Sequence, residues 1–293
     1  MEIILATSLG MCFGVRDALA AAHRVPHPAA TTIHGELVHN PLVLTQLHLR
    51  GFPITRESHR AQIPASPHVL ITAHGISHRE RNRLAAAGKH LIDTTCPLVR
   101  KAHDAAQALA AESRHILLIG KRGHVEVEGI AGDLDSCTIL ASPAEVTSYP
   151  YPRLGIVCQT TTAQRDADAI RTAIAQRNPR ADIRFINTIC QPTRDRQRAM
   201  EELLDQVDAV VVLGGRNSNN TRKLVERSAE RGIPAYHVES AAEIEPEWFS
   251  GCRTVGLTAG TSTLPETITE VHDALRRIAL LHSWLGGVAL VEA

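Results

Sequence analysis

Three cysteines recur in the chain in the same local setting, and that repetition limits the fold more than any other feature. Cys12, Cys96 and Cys190 each follow a β-like run, at residues 3–7, 91–95 and 185–189, and each precedes a helical pattern. Each is followed four residues later by an arginine: Arg16, Arg100 and Arg194. The cysteines lie 84 and 94 residues apart, as copies of one unit would. Strand–helix alternation within each copy implies parallel sheets joined by right-handed crossovers.

Polar loops fall at matching distances from each cysteine. The first set lies at His39, His124 and Ser218, which are 27, 28 and 28 residues on. The second lies at His74, Thr160 and Ser262, at 62, 64 and 72 residues. All six follow apolar runs of strand length, such as residues 69–72, 115–119 and 209–213. In parallel α/β sheets ligands bind beyond the carboxyl ends of the strands. Three copies directing those ends inward would build one shared centre. The expected limits are 13–95, 96–188 and 189–281, the last joined by an N-terminal strand at 1–12, with a short tail at 282–293.

Composition narrows the partners. Lys and Arg total 31 against 31 Asp and Glu, so no whole-chain field favours nucleic acid or an anionic membrane. Aromatic residues are only 3%, which leaves little for stacking on single-stranded nucleic acid. The start lacks the basic region of a signal peptide. The apolar run at residues 278–291 is too short to span a bilayer. A cytoplasmic location is expected, where cysteines serve as thiols or metal ligands more than as disulfides.

A lone free cysteine is usually a small buried hydrophobe, and that account suffices for Cys137, Cys158 and Cys252, which have no counterparts. Matched spacing makes Cys12, Cys96 and Cys190 candidate thiolate ligands of a metal or cluster. Three protein ligands would leave one position open. The loops carry donors suited to an anion: Asn217, Ser218, Asn220, Ser262, Thr160 and Thr161, with His39, His74 and His124. Ser, Thr and Asn also cap helices everywhere, but capping does not explain three histidines at equivalent places. Neither a Walker A loop nor a G-x-G-x-x-G turn is present, so nucleotide-binding readings lose their support. Glu126 stands two residues after His124 and could deliver a proton from a closed pocket. Glu128 would share its face if the run were extended, and is the rival. Arg-rich stretches at Arg79, Arg81 and Arg83 and at Arg194, Arg196 and Arg198 read as solvated faces, or as a dock for an acidic electron carrier.

These blocks together resemble the 4-hydroxy-3-methylbut-2-enyl diphosphate reductase (LytB) family from residue 1 to about 279. They are Cys12-Phe13-Gly14-Val15, Val38-His39-Asn40-Pro41, Ala73-His74-Gly75, Thr95-Cys96-Pro97 and the Gly123–Gly129 run with His124, Glu126 and Glu128. Gln159-Thr160-Thr161, Ile189-Cys190, Asn217-Ser218-Asn219-Asn220 and Thr258-Ala259-Gly260-Thr261-Ser262 complete the set. The resemblance implies a trefoil of three pseudo-equivalent α/β domains with parallel sheets around one central 4Fe-4S cluster. It implies that Cys12, Cys96 and Cys190 ligate the cluster. His39, His74, His124, Asn217, Ser218, Asn219, Asn220 and Ser262 would hold an allylic diphosphate, with Thr160 and Thr161. Glu126, His124 and Thr160 would manage the hydroxyl and its proton, with electrons from reduced ferredoxin or flavodoxin, in isoprenoid biosynthesis. A paralogue repurposed as an iron–sulfur redox sensor, or a diphosphate hydrolase using His124 and Glu126, are the alternatives at this stage.

Overall fold

The fold was obtained as a computed structural model that describes residues 1–288, with the backbone alone described for 282–288. Strands and helices alternate along the described chain. The strands are β1 (Glu2–Leu5), β2 (Thr31–His34), β3 (His68–Ile71), β4 (His90–Asp93), β5 (His115–Ile119), β6 (Cys137–Leu140), β7 (Arg153–Cys158), β8 (Asp182–Phe185), β9 (Ala209–Leu213), β10 (Ala235–Val238) and β11 (Thr254–Ala259). The helices are α1 (Phe13–His23), α2 (Pro41–Leu49), α3 (His78–Ala86), α4 (Pro97–Ala111), α5 (Val125–Ala131), α6 (Gln164–Arg177), α7 (Gln191–Leu204), α8 (Asn219–Glu230) and α9 (Pro265–Val288). The expected tail from 282 is occupied by α9 as far as Val288, and its remainder lies outside the described residues.

Contacts divide the chain into two compact units. The unit of residues 13–190 holds two sheets, ordered β2-β3-β4 and β6-β5-β7-β8. The other unit, Met1–Cys12 with Gln191 onward, holds one, ordered β1-β11-β9-β10. Every pairing in the three is parallel.

The three sheets follow one plan. Numbered from its own first strand, the sheet of β5 to β8 runs 2-1-3-4. The sheet of β9, β10 and β11 does the same, with β1 taking the fourth place. In the β2-β3-β4 sheet the second place shrinks to a single parallel bridge, Ile33 to Ile54. The segment at 52–55 contributes only this one bridge, since Pro53 has no N–H to give a ladder. In each sheet strands one and three lie side by side while the chain reverses direction across the sheet. That is the switch point at which open α/β sheets bind ligands.

Central strands read as continuous apolar runs because both faces are covered. Ala209 to Leu213 is at most 1% exposed throughout, and Leu117, Ile119, Ile156 and Ile170 pack in one cluster on the β5–β8 sheet. Two local features differ from the sequence reading. A strand at 235–238 lacks the alternation that would have marked it, and its Ala-Tyr-His-Val run is only half-buried apart from Val238. The β-like runs before the cysteines also stop early, at Leu5, Asp93 and Phe185. Polar side chains end two of them by bonding the backbone instead of extending the ladder. Asp93 Oδ1 accepts from Thr95 N at 2.9 Å, and Asn187 Oδ1 accepts from Ile189 N at 3.1 Å.

Among the described residues no helix is long and apolar enough to cross a membrane.

Candidate active site

The helix following each cysteine begins at the very next residue: Phe13 after Cys12, Pro97 after Cys96 and Gln191 after Cys190. A helix N-terminus presents free N–H groups and a positive dipole end, which favours a negatively charged ligand set. Each cysteine backbone also makes the same bond. Cys12 N donates to the Thr261 carbonyl, Cys96 N to Ala73 and Cys190 N to Thr160, all at 3.0 Å. These acceptors sit in the second loop of each copy, beside Ser262, beside His74 and at Thr160. One backbone hydrogen bond thus ties the main chain of each cysteine to a polar loop. All three cysteines lie outside any disulfide and are half-buried. Cys96 is packed closely: a Cβ placed on Gly14 would lie 2.5 Å from its Sγ, so α1 can only approach through a glycine.

In the unit of residues 13–190, three histidine rings come together. His39 stacks on His74 with centroids 4.2 Å apart. His124 meets both edge-on, at 5.2 and 5.7 Å. His39 Nδ1 lies 2.8 Å from a Glu36 carboxylate oxygen, an orienting partner that sequence reading did not find; its only signal is the three-residue spacing from His39. Burial first, then the neighbouring His39 and His124, hold the His74 imidazole well below the usual histidine range, so its ring is neutral. Its Nδ1 is buried without a hydrogen-bond partner. His124 caps α5, its Nδ1 accepting from Glu126 N at 3.2 Å. With Nδ1 accepting, Nε2 is the nitrogen left to donate to a ligand.

Glu126 is 1% exposed. Thr160 N donates to Oε1 at 2.6 Å and Thr160 Oγ1 to Oε2 at 3.0 Å. Burial outweighs these bonds and the nearby His39, and pushes the carboxyl up to about 7. A side chain with that affinity can hold and release a proton near neutrality. Glu128, the rival, instead accepts from Gly123 N at 3.1 Å in an exposed setting. The run is helical, so residues two apart diverge. Thr161 Oγ1 accepts from Gln159 Nε2 at 3.1 Å.

In the other unit, Ser218 caps α8 by accepting from Thr221 N at 3.3 Å. Asn219 and Asn220 form the first turn, and Ser218, Asn219, Asn220 and Ser262 are each at most 6% exposed. Asn220 Nδ2 is buried with no hydrogen-bond partner, a cost of about 1–3 kcal/mol that a polar ligand would remove. Asn217 is exposed in the preceding turn. Arg196 departs from the solvated-face expectation. It is 5% exposed, and its Nε donates to the Gly10 carbonyl at 3.0 Å, bracing the segment before Cys12.

A model of the LytB protein family matches residues 3–276. The chain belongs to the LytB family. Among LytB relatives, a 4-hydroxy-3-methylbut-2-enyl diphosphate reductase of Anaeromyxobacter sp. is 34% identical, covering 92% of this chain and 95% of its own. One from Burkholderia pseudomallei is 36% identical, over 96% and 91%. The solved E-1-hydroxy-2-methyl-but-2-enyl-4-diphosphate reductase of Plasmodium falciparum superposes with a TM-score of 0.85 at 27% identity, covering 93% of this chain and 87% of that one. A second solved structure, of (E)-4-hydroxy-3-methyl-but-2-enyl diphosphate reductase, the terminal enzyme of the non-mevalonate pathway, gives 0.63 at 32% identity, over 94% of this chain and 100% of that one.

Among the described residues no group of three or more His, Cys, Asp or Glu is disposed to hold a single metal ion. Each of the three cysteines lies at a helix start with its backbone N–H bonded to a polar loop, and thiolates are the soft ligands that iron–sulfur centres take.

Proposed function

We propose that this chain reduces 4-hydroxy-3-methylbut-2-enyl diphosphate to isopentenyl and dimethylallyl diphosphate. One observation carries the chemistry: a buried, protonatable Glu126 bonded to Thr160 beside three clustered histidines. Family membership supports an iron–sulfur oxidoreductase. The finer assignment is one 4Fe-4S cluster held by Cys12, Cys96 and Cys190, within domains at 13–95, 96–188 and 189–281 with 1–12. The relatives are named as reductases and lend nothing to a redox sensor.

In this proposal His39, His74 and His124 hold the diphosphate with Ser218, Asn219, Asn220 and Ser262, while Thr161 and Asn217 border it. Imidazole N–H groups, hydroxyls and amides can each donate to phosphate oxygens. Thr160 orients the substrate hydroxyl and Glu126 supplies the proton with which that oxygen leaves as water. When bound, the cluster supplies the electron pair, drawn from reduced ferredoxin or flavodoxin. A further proton completes the new C–H bond, so that alcohol, electron pair and two protons yield alkene and water. We place this reaction in the cytoplasm.

The test is Glu126→Gln in anaerobically loaded protein. Cluster absorbance should stay at the parent level while turnover falls by about 10²–10⁴-fold. Unchanged turnover would assign the proton to another group.

A further inference from the structure

The short 3-10 turn at Glu57–His59 lies outside every motif described so far, yet it reaches both histidine loops. The segment ahead of it runs beside β2. Ile33 N donates to the Pro53 carbonyl and Thr55 N donates to the Ile33 carbonyl, both at 2.9 Å. This sets Glu57 against Gly35. Glu57 Oε1 accepts from Glu36 N at 2.7 Å. Gly35 has φ +102°, and a Cβ there would sit 2.6 Å from that same oxygen. The loop therefore needs glycine both for its backbone angle and for the carboxylate to reach it.

Glu57 Oε2 accepts from Arg60 Nη1 at 3.2 Å, and Arg60 Nη2 donates to the Gly75 carbonyl at 3.3 Å. One ion pair thus joins the loop that carries His39 to the loop that carries His74. Its far end is anchored on α3. Arg83 donates to the Ala61 carbonyl at 2.8 Å and the Arg60 carbonyl at 3.2 Å, and is itself paired with Glu80 at 2.7 Å. Glu80 in turn bonds the fully buried His34 at 3.0 Å.

We propose that Glu57 and Arg60 are positioning residues whose brace sets the separation of His39 and His74, and so the fit of the site to a diphosphate. This rests on the assignment of those histidines to diphosphate binding. The two loops leave different strands, and the charge-assisted bonds hold them in register before any ligand arrives. Without the brace, binding would have to order the loops itself, and affinity would fall. Neither residue touches the reacting atoms, so the loss belongs to binding and not to the chemical step.

The experiment uses the anaerobic, iron-loaded chain. Affinity for inorganic diphosphate is measured by calorimetry, KM and kcat with the allylic substrate, and amide exchange at Glu36. Glu57→Ala and Arg60→Met should each weaken inorganic diphosphate binding and raise KM by about tenfold, the size of one such hydrogen bond. kcat should stay within about twofold, and the Glu36 amide should exchange faster in Glu57→Ala. Glu57→Gln keeps the shape and an acceptor for Glu36 N, and should recover most of the affinity. His74→Asn is the control for the underlying assignment. If His74→Asn weakens diphosphate binding while Glu57→Ala changes neither affinity nor Glu36 exchange, the brace is wrong and the diphosphate site stands. If His74→Asn has no effect on diphosphate binding, the assignment fails and takes the brace with it. A fall in kcat at constant KM in the Glu57 and Arg60 variants would also contradict it.

Discussion

Glu126 is 1% exposed, and its burial raises the carboxyl from an ordinary value of 4.5 to about 7 despite two hydrogen bonds from Thr160. A proton donor must start protonated, so kcat should decline as pH rises through about 7, read from a pH–rate profile. The same shift has a cost for the fold. A raised folded value means the protonated form is favoured in the native state. Stability is therefore full below about pH 4.5 and is lost as pH rises through about 7, by on the order of 3 kcal/mol. Glu126→Gln removes that loss, so its melting temperature should exceed the parent's near pH 8 and match it near pH 4. Equal melting temperatures at both pH values would show that the carboxyl is not strained by burial. The choice between Glu126 and Glu128 was open in the sequence, because both fit an extended run. The Val125–Ala131 helix separates them, and only Glu126 reaches Thr160. Glu36 and Glu57 were not legible at all, since their partners depend on how loops from different strands meet.

Helix starts carry the cysteines, and this placement was largely visible in the chain. Pro97 marks the first position of α4, and the repeated Cys–x₃–Arg pattern marks the other two. The close approach of α1 to Cys96 was not visible. Gly14→Ala puts a methyl 2.5 Å from Sγ, so either the thiol or the helix must move. The expected result is reduced iron per chain after anaerobic loading with little change in far-ultraviolet circular dichroism; full iron content would show that the contact is slack. At α8, Ser218→Ala removes a cap and should cost about 1 kcal/mol in denaturant unfolding. Diphosphate affinity should also fall, because the same hydroxyl is assigned to the ligand. Loss of stability alone would leave Ser218 as a cap. Arg196 shows where helix-level reading runs short: a run of three arginines on a charged helix reads as solvent-facing, yet one is buried against the Gly10 carbonyl.

Three parallel sheets on one 2-1-3-4 plan account for the spacing of cysteines and polar loops, since each sheet places its first and third strand ends together. The threefold repeat with parallel sheets was legible because its period survives in the sequence, whereas the strand order, the bridge at Ile54 and the weak strand at 235–238 follow tertiary contacts more than local pattern. The sheets are held by apolar cores. Leu117→Ala, at a fully buried position in β5, should cost about 2–5 kcal/mol of stability in urea unfolding. The central claim is that the three matched cysteines hold one four-iron cluster that serves diphosphate reduction. It is tested most directly by iron and sulfide analysis of anaerobically loaded protein, combined with turnover of 4-hydroxy-3-methylbut-2-enyl diphosphate under a chemical reductant. The expected result is about four irons and four sulfides per chain with formation of both isopentenyl and dimethylallyl diphosphate, each lost in Cys96→Ser. A Cys96→Ser protein with full iron and sulfide, or a loaded parent that binds the diphosphate without reducing it, would contradict the claim.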